Sequence, residues 1–196
     1  PGGARQQVES LMASGRRRDD DWTPSADLGE QVLARLEAFD DGLHDLGPPD
    51  IDADPTLPRS LLAVCHRFDG GRLFHEAITL AASREYEVVT APTGTRWRVG
   101  DAGGDPIFVD EQGQVWREDA ETGEVVLDGT AFDRWLLGAI ETEAMLYDRD
   151  GEFKDDIFDE DGELVPAVAL AQLRAAAKRD PRAPGPRWRL ARRLAR

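Results

Sequence analysis

Reactive side chains are few in this chain and poorly spaced for catalysis. Its single cysteine is Cys65, and its histidines are His44, His66 and His75, with no His-Glu-x-x-His spacing that would hold zinc. Cys65 and His66 adjoin in sequence. Neighbours on a helix point to different sides, so they make no nucleophile and base pair. There is no Gly-x-Ser-x-Gly elbow and no glycine loop ending in Lys followed by Ser or Thr. Carboxylates are the abundant group, 39 against 24 Lys and Arg. In so acidic a chain two adjacent carboxylates are expected by number alone and do not mark an acid and base pair. The residues read as non-enzymatic, with no catalytic set and no cofactor, and an uncharacterised hydrolase is the weaker alternative.

Two further patterns bear on metals and redox chemistry. Tyr147 to Phe153 and Phe158 to Leu164 repeat one Asp-Gly motif with an offset of 11 residues. Closely spaced aspartates suit calcium, but an EF-hand loop with Gly151 or Gly162 at its sixth position would start on Leu146 or Ile157, neither of which is a ligand. The repeats read as hairpin turns in an acidic strap that Tyr147, Phe153, Phe158 and Leu164 pin to the domain. One cysteine leaves no intramolecular disulfide, which fits a reducing, cytoplasmic setting. Residues 1–18 lack an apolar signal core and no apolar run approaches a membrane span, so no membrane role is expected.

Charge is divided along the chain. The total is −15, but from Leu173 to Arg196 there are nine Lys or Arg against Asp180 alone, leaving about −23 on residues 1–172. An acidic body repels nucleic acid and attracts basic proteins. The basic tail, with Arg187, Arg189, Arg192, Arg193 and Trp188, either folds back over acidic neighbours or meets an acidic partner.

The elements follow from periodicity. Residues 1–24 are polar and aperiodic and read as disordered. A helix is expected from Asp27, its cap, through Leu28, Val32, Leu36, Phe39 and Leu43 to the Gly47-Pro48-Pro49 stop. A second opens at Pro58, carries an apolar stripe of Leu61, Leu62, Cys65 and Phe68 and stops at Gly70-Gly71, making Cys65 a core residue. Strands are expected at Leu73 to Leu80, Tyr86 to Ala91, Arg96 to Val99, Pro106 to Val109, Gln114 to Arg117 and Glu124 to Leu127. A helix then starts at Thr130 with Asp133 as capping partner, and helices from Pro166 to Arg179 and near Arg187 to Ala195 close the chain. Helices before and after a largely antiparallel sheet give an α+β fold with a C-terminal helical extension.

That order carries a resemblance. Leu57-Pro58 opening a helix that ends Phe68-Asp69-Gly70-Gly71, then Trp97-Arg98-Val99-Gly100, Gly103 to Asp110, Gly113-Gln114-Val115-Trp116 and Thr130 to Leu136, together resemble the SUKH superfamily. This is the Smi/Knr-type domain common among bacterial toxin-immunity proteins. The resemblance covers roughly residues 27–142 and implies a domain at 25–145, beyond which lie the strap at 146–165 and the basic tail at 166–196. It implies binding and neutralising a cognate toxin, commonly a nuclease, or scaffolding other proteins. Many nucleases are basic, so the expected partner is a basic protein, with Asp101, Asp105, Asp110, Glu111, Glu118 and Asp119 as the candidate contact residues and Glu121 and Glu124 beside them.

Overall fold

The computed structural model describes residues 28–194, apart from 40, 93, 156, 161 and 163. The N-terminal stretch at 1–24 and the expected cap Asp27 lie outside the described residues.

Apolar periodicity sets the helices. Helix α1, Leu28–Leu36, buries Val32 and Leu36 completely. It is shorter than expected, because the Asp41-Gly42-Leu43 turn breaks it and His44–Leu46 becomes strand β1. Helix α2, Arg59–Cys65, follows Pro58 and buries Leu61, Val64 and Cys65. Burial pushes the Cys65 thiol up to about 12, consistent with a packing residue. The strand expected over Leu73 to Leu80 is two, β2 (Gly71–Leu73) and β3 (Ile78–Leu80), joined by a sharp turn. In that turn Phe74, His75 and Glu76 all hold left-handed backbone, with φ of 52°, 50° and 72°. Nothing in the residue types announces it, since three consecutive non-glycine residues avoid this region. The turn is held from both sides. The Phe74 amide donates to His44 Nδ1 at 3.3 Å and the Tyr147 hydroxyl to the Phe74 carbonyl at 3.4 Å.

The remaining strands are β4 (Glu87–Ala91), β5 (Gly94–Ala102), β6 (Asp105–Asp110), β7 (Val115–Glu118) and β8 (Val125–Gly129). All ladders are antiparallel, in the order β1-β2-β3-β5-β6-β7-β8, with β4 paired to the first half of β5. Gly103 and Gly104, both at positive φ, turn β5 into β6 within two residues. Val99, Ile107, Val109 and Val115 are fully buried on the inner face. Against that face pack α1, α2 and α3, the last spanning Phe132–Glu143. On the other face Arg96 lies 4.1 Å over the Trp116 ring. The fold is α+β, as expected.

Two features depart from the expected close of the domain. Helix α3 begins at Phe132, not Thr130, and Asp133 is no cap to Thr130. Both the amide and the hydroxyl of Thr130 donate to Asp180 at 2.8 Å, so this contact reaches 50 residues down the chain. The Asp-Gly repeats do form two small hairpins, bridged Tyr147 to Phe153 and Phe158 to Leu164. Only Tyr147 of the aromatic anchors is buried; Phe153 and Phe158 are 46% and 41% exposed, and Ile157 is the apolar residue that goes inside.

Helices α4 (Pro166–Arg179) and α5 (Pro184–Leu194) form a hairpin laid against α3 and β8. Its attachment is a buried carboxylate. Asp128, 2% exposed in β8, accepts the Trp135 indole N–H of α3 at 3.0 Å, while Arg189 of α5 lies 2.7 Å from its second oxygen. The contact is close enough that a side chain at Gly185 would meet Asp128 and the Leu127 carbonyl at 2.7 and 2.8 Å. Among the described residues no helix is long and apolar enough to cross a membrane.

Removing one partner of a buried pair strands the other. Arg189→Ala is therefore expected to cost about 3 kcal/mol in urea unfolding, whereas Arg187→Ala, on an exposed side chain, changes stability by less than about 0.5 kcal/mol. A second expectation concerns acid. Burial, and then the proximity of His75, lowers His44 to about 4, below its ordinary 6.5. The unfolded chain takes up the proton first, so stability present above pH 6.5 is lost as pH falls toward 4. His44→Gln should flatten that part of a melting-temperature profile.

Candidate functional site

The strand register decides which of the candidate acids can act together. β6 and β7 run antiparallel with Ile107 opposite Arg117, so Asp105 lies at the same end as Glu118 and Asp119, and Asp110 at the other. Asp101, paired across from Pro106, joins the first group. The β7–β8 turn adds Glu121 and Glu124. Six of the eight acids thus converge at one end of the sheet, while Asp110 and Glu111 sit apart.

Within that group the carboxylates divide again. Asp105 is committed, accepting Arg117 Nε at 2.7 Å and the Ala120 amide at 3.1 Å. Asp101 pairs with Arg98 at 3.1 Å. Asp119 folds the turn by accepting the Glu121 and Thr122 amides at 3.1 and 2.9 Å. Glu118, Glu121 and Glu124 have no ion pair or hydrogen bond through their carboxylates among the described residues. These three are available to an incoming cation, and Val125, 40% exposed, lies opposite Glu118 as an apolar contact.

Asp110 does not belong to that surface. It is 8% exposed, and its carboxylate takes the Gln112 and Gln114 amides at 3.0 and 2.9 Å and the Trp116 indole at 2.8 Å. Its work is to hold the β6–β7 turn, a role that its place at the head of Asp-Glu-Gln-Gly could have indicated. Glu111 is exposed on that same turn.

The basic tail meets this acidic end directly. A cavity of about 230 Å³ is walled on one side by Asp105, Asp119 and Glu121 and on the other by Trp188, Arg189 and Arg193 of α5. Arg117 lies between them. The tail therefore folds back, with arginines over acidic neighbours.

A larger cavity, about 440 Å³, opens between α3, the ends of β3, β5, β7 and β8, and the α4–α5 hairpin. Sequence reading missed it, because it depends on how far a separate hairpin stands off α3. Glu143 lines it, and burial raises this carboxyl above the ordinary range although Arg117 partly opposes the shift. Among the described residues no histidine, cysteine, serine or tyrosine shares the lining; Thr142 does, its hydroxyl donating to the Gly138 carbonyl at 2.8 Å. His44, expected on a helix, sits on β1; His75 lies near it in the β2–β3 turn, and His66 caps the end of α2. Neither His44 nor His75 reaches the cavity.

Glu143 has a raised folded pKa, so its protonated form favours folding at low pH and that gain is lost as pH rises through the folded value. Glu143→Gln is expected to melt higher than the parent at pH 7, with the difference vanishing at acid pH, read by calorimetry across pH. Neither a family model, nor a curated protein, nor a solved structure matches the chain.

Proposed function

We propose that this chain is a non-enzymatic binding domain that grips a basic protein in the cytoplasm and neutralises it, as a toxin-immunity protein does. The observation that carries the reading is the set of uncommitted carboxylates on the β7–β8 turn. Glu118, Glu121 and Glu124 lie within seven residues that hold no cation, on a tight hairpin braced by Asp119. Unpaired charge held on a rigid turn speeds encounter with an oppositely charged surface and selects against anionic ones. A basic cleft evolved to hold phosphates is such a surface. Helices before and after an antiparallel sheet are also the order in which the SUKH-like motifs occur, which supports the resemblance from which the immunity reading comes.

Affinity capture from the source lysate at low and high salt, beside a Glu118→Lys, Glu121→Lys, Glu124→Lys variant, tests this. The expected result is one basic protein, released by salt, bound on the order of tenfold or more weakly by the variant, and inhibited in its own activity by the parent chain. Capture of several unrelated proteins, or equal binding by the variant, would overturn it.

A further inference from the structure

The 440 Å³ cavity has the size and composition of a small-molecule site, and α4 meets α3 across it through Gln172, which donates to the Thr142 carbonyl at 3.1 Å. Interiors are normally filled to the density of an organic crystal. Here α4 is a 14-residue helix with no fully buried residue, and its Ala169, Leu173 and Ala176 face the cavity across from Ala139 and Trp135 of α3. The hairpin is nonetheless fixed at its far end by the Asp180 and Asp128 contacts, so it cannot collapse inward without breaking them. The result is an apolar slot held open by polar ties.

The charged groups of the lining indicate what would fill it. Arg117 gives its bonds to Asp105 and to the Ala102 carbonyl, Arg189 faces Asp128, Arg179 pairs with Glu141, and Asp180 receives Thr130. Arg134 is likewise engaged. Two lining ions have no hydrogen bond or ion pair among the described residues: Arg193, which is exposed, and Glu143, whose carboxyl is half-buried. Arg117 attracts it only through space. A desolvated carboxyl without a donor is costly to leave so.

We propose that this cavity binds a small amphipathic amine, its ammonium paired with Glu143 and its apolar body against Trp135, Leu173 and the alanines of α3 and α4. The site is separate from the acidic β7–β8 turn and does not depend on the protein partner proposed for it. An ammonium supplies the donors that Glu143 lacks, and the aromatic and aliphatic walls favour a body of one ring or a short chain. A carboxylic acid of the same shape would face Glu143 with like charge.

Calorimetric titration with phenethylamine and hexylamine, against phenylacetate as the matched acid, tests the proposal on the full chain. Saturable binding of the amines, absent for phenylacetate and weakened tenfold or more in Glu143→Gln, is the expected outcome. That variant retains the fold, since it removes a buried charge rather than creating one. An Ala176→Phe variant, which fills the slot, should abolish amine binding while leaving the circular dichroism of the sheet unchanged. No amine binding, equal binding by Glu143→Gln, or preference for phenylacetate would each overturn it.

Discussion

A carboxylate buried away from water must find its partners, and Asp128 finds them on two other elements. Its strand is the last of the sheet, its indole donor belongs to α3, and its guanidinium to α5. The domain and its helical extension are joined through this charge, with Asp180 and Thr130 as a second tie close by. The basic surplus of the tail therefore has an intramolecular use. Arg189 and Arg193 answer part of the body's negative charge, and what the body offers to another molecule is the remainder.

That remainder is spatially selective. The acids at the β5–β6 and β7–β8 turns differ little in type, yet pairing with Arg98 and Arg117 and the capping of backbone amides take Asp101, Asp105 and Asp119 largely out of use. Among the described residues Glu118, Glu121 and Glu124 are left. Net charge attracts a partner from a distance, but only the unpaired groups can fix its register. The cavity under the hairpin is organised on the opposite plan: among the described residues its half-buried ions are paired except Glu143, set between apolar walls, while Arg193 is exposed.

Legibility followed the range of the interactions. The β6–β7 and β7–β8 hairpins were readable because their turns carry Asp-Glu-Gln-Gly and Glu-Thr-Gly between apolar runs, and α4 because Pro166 starts it and Asp180-Pro181 stops it. Cys65 was readable as core from its helical neighbours. Strand β1 was not, since His44-Asp45-Leu46 continues the helical spacing of Leu36 and Leu43 and becomes a strand only by pairing with β2. Nor were the roles of Asp128 and Asp180: each looks like one more surface acid, and contacts with distant residues decide otherwise. The exposed Phe153 and Phe158 invert the same lesson, because apolar type alone does not place a side chain inside.

The β2–β3 turn carries a consequence of another kind, one of chirality. Phe74, His75 and Glu76 follow a path whose natural occupants are residues of the opposite hand, and L-amino acids hold it with His44 and Tyr147 gripping the backbone at Phe74 and the Leu43 carbonyl accepting the His75 amide. At these three positions a D-amino acid would lie in its own preferred region. The turn is a short mirror-image passage in the chain, and the side chains around it work against the handedness of the residues that compose it.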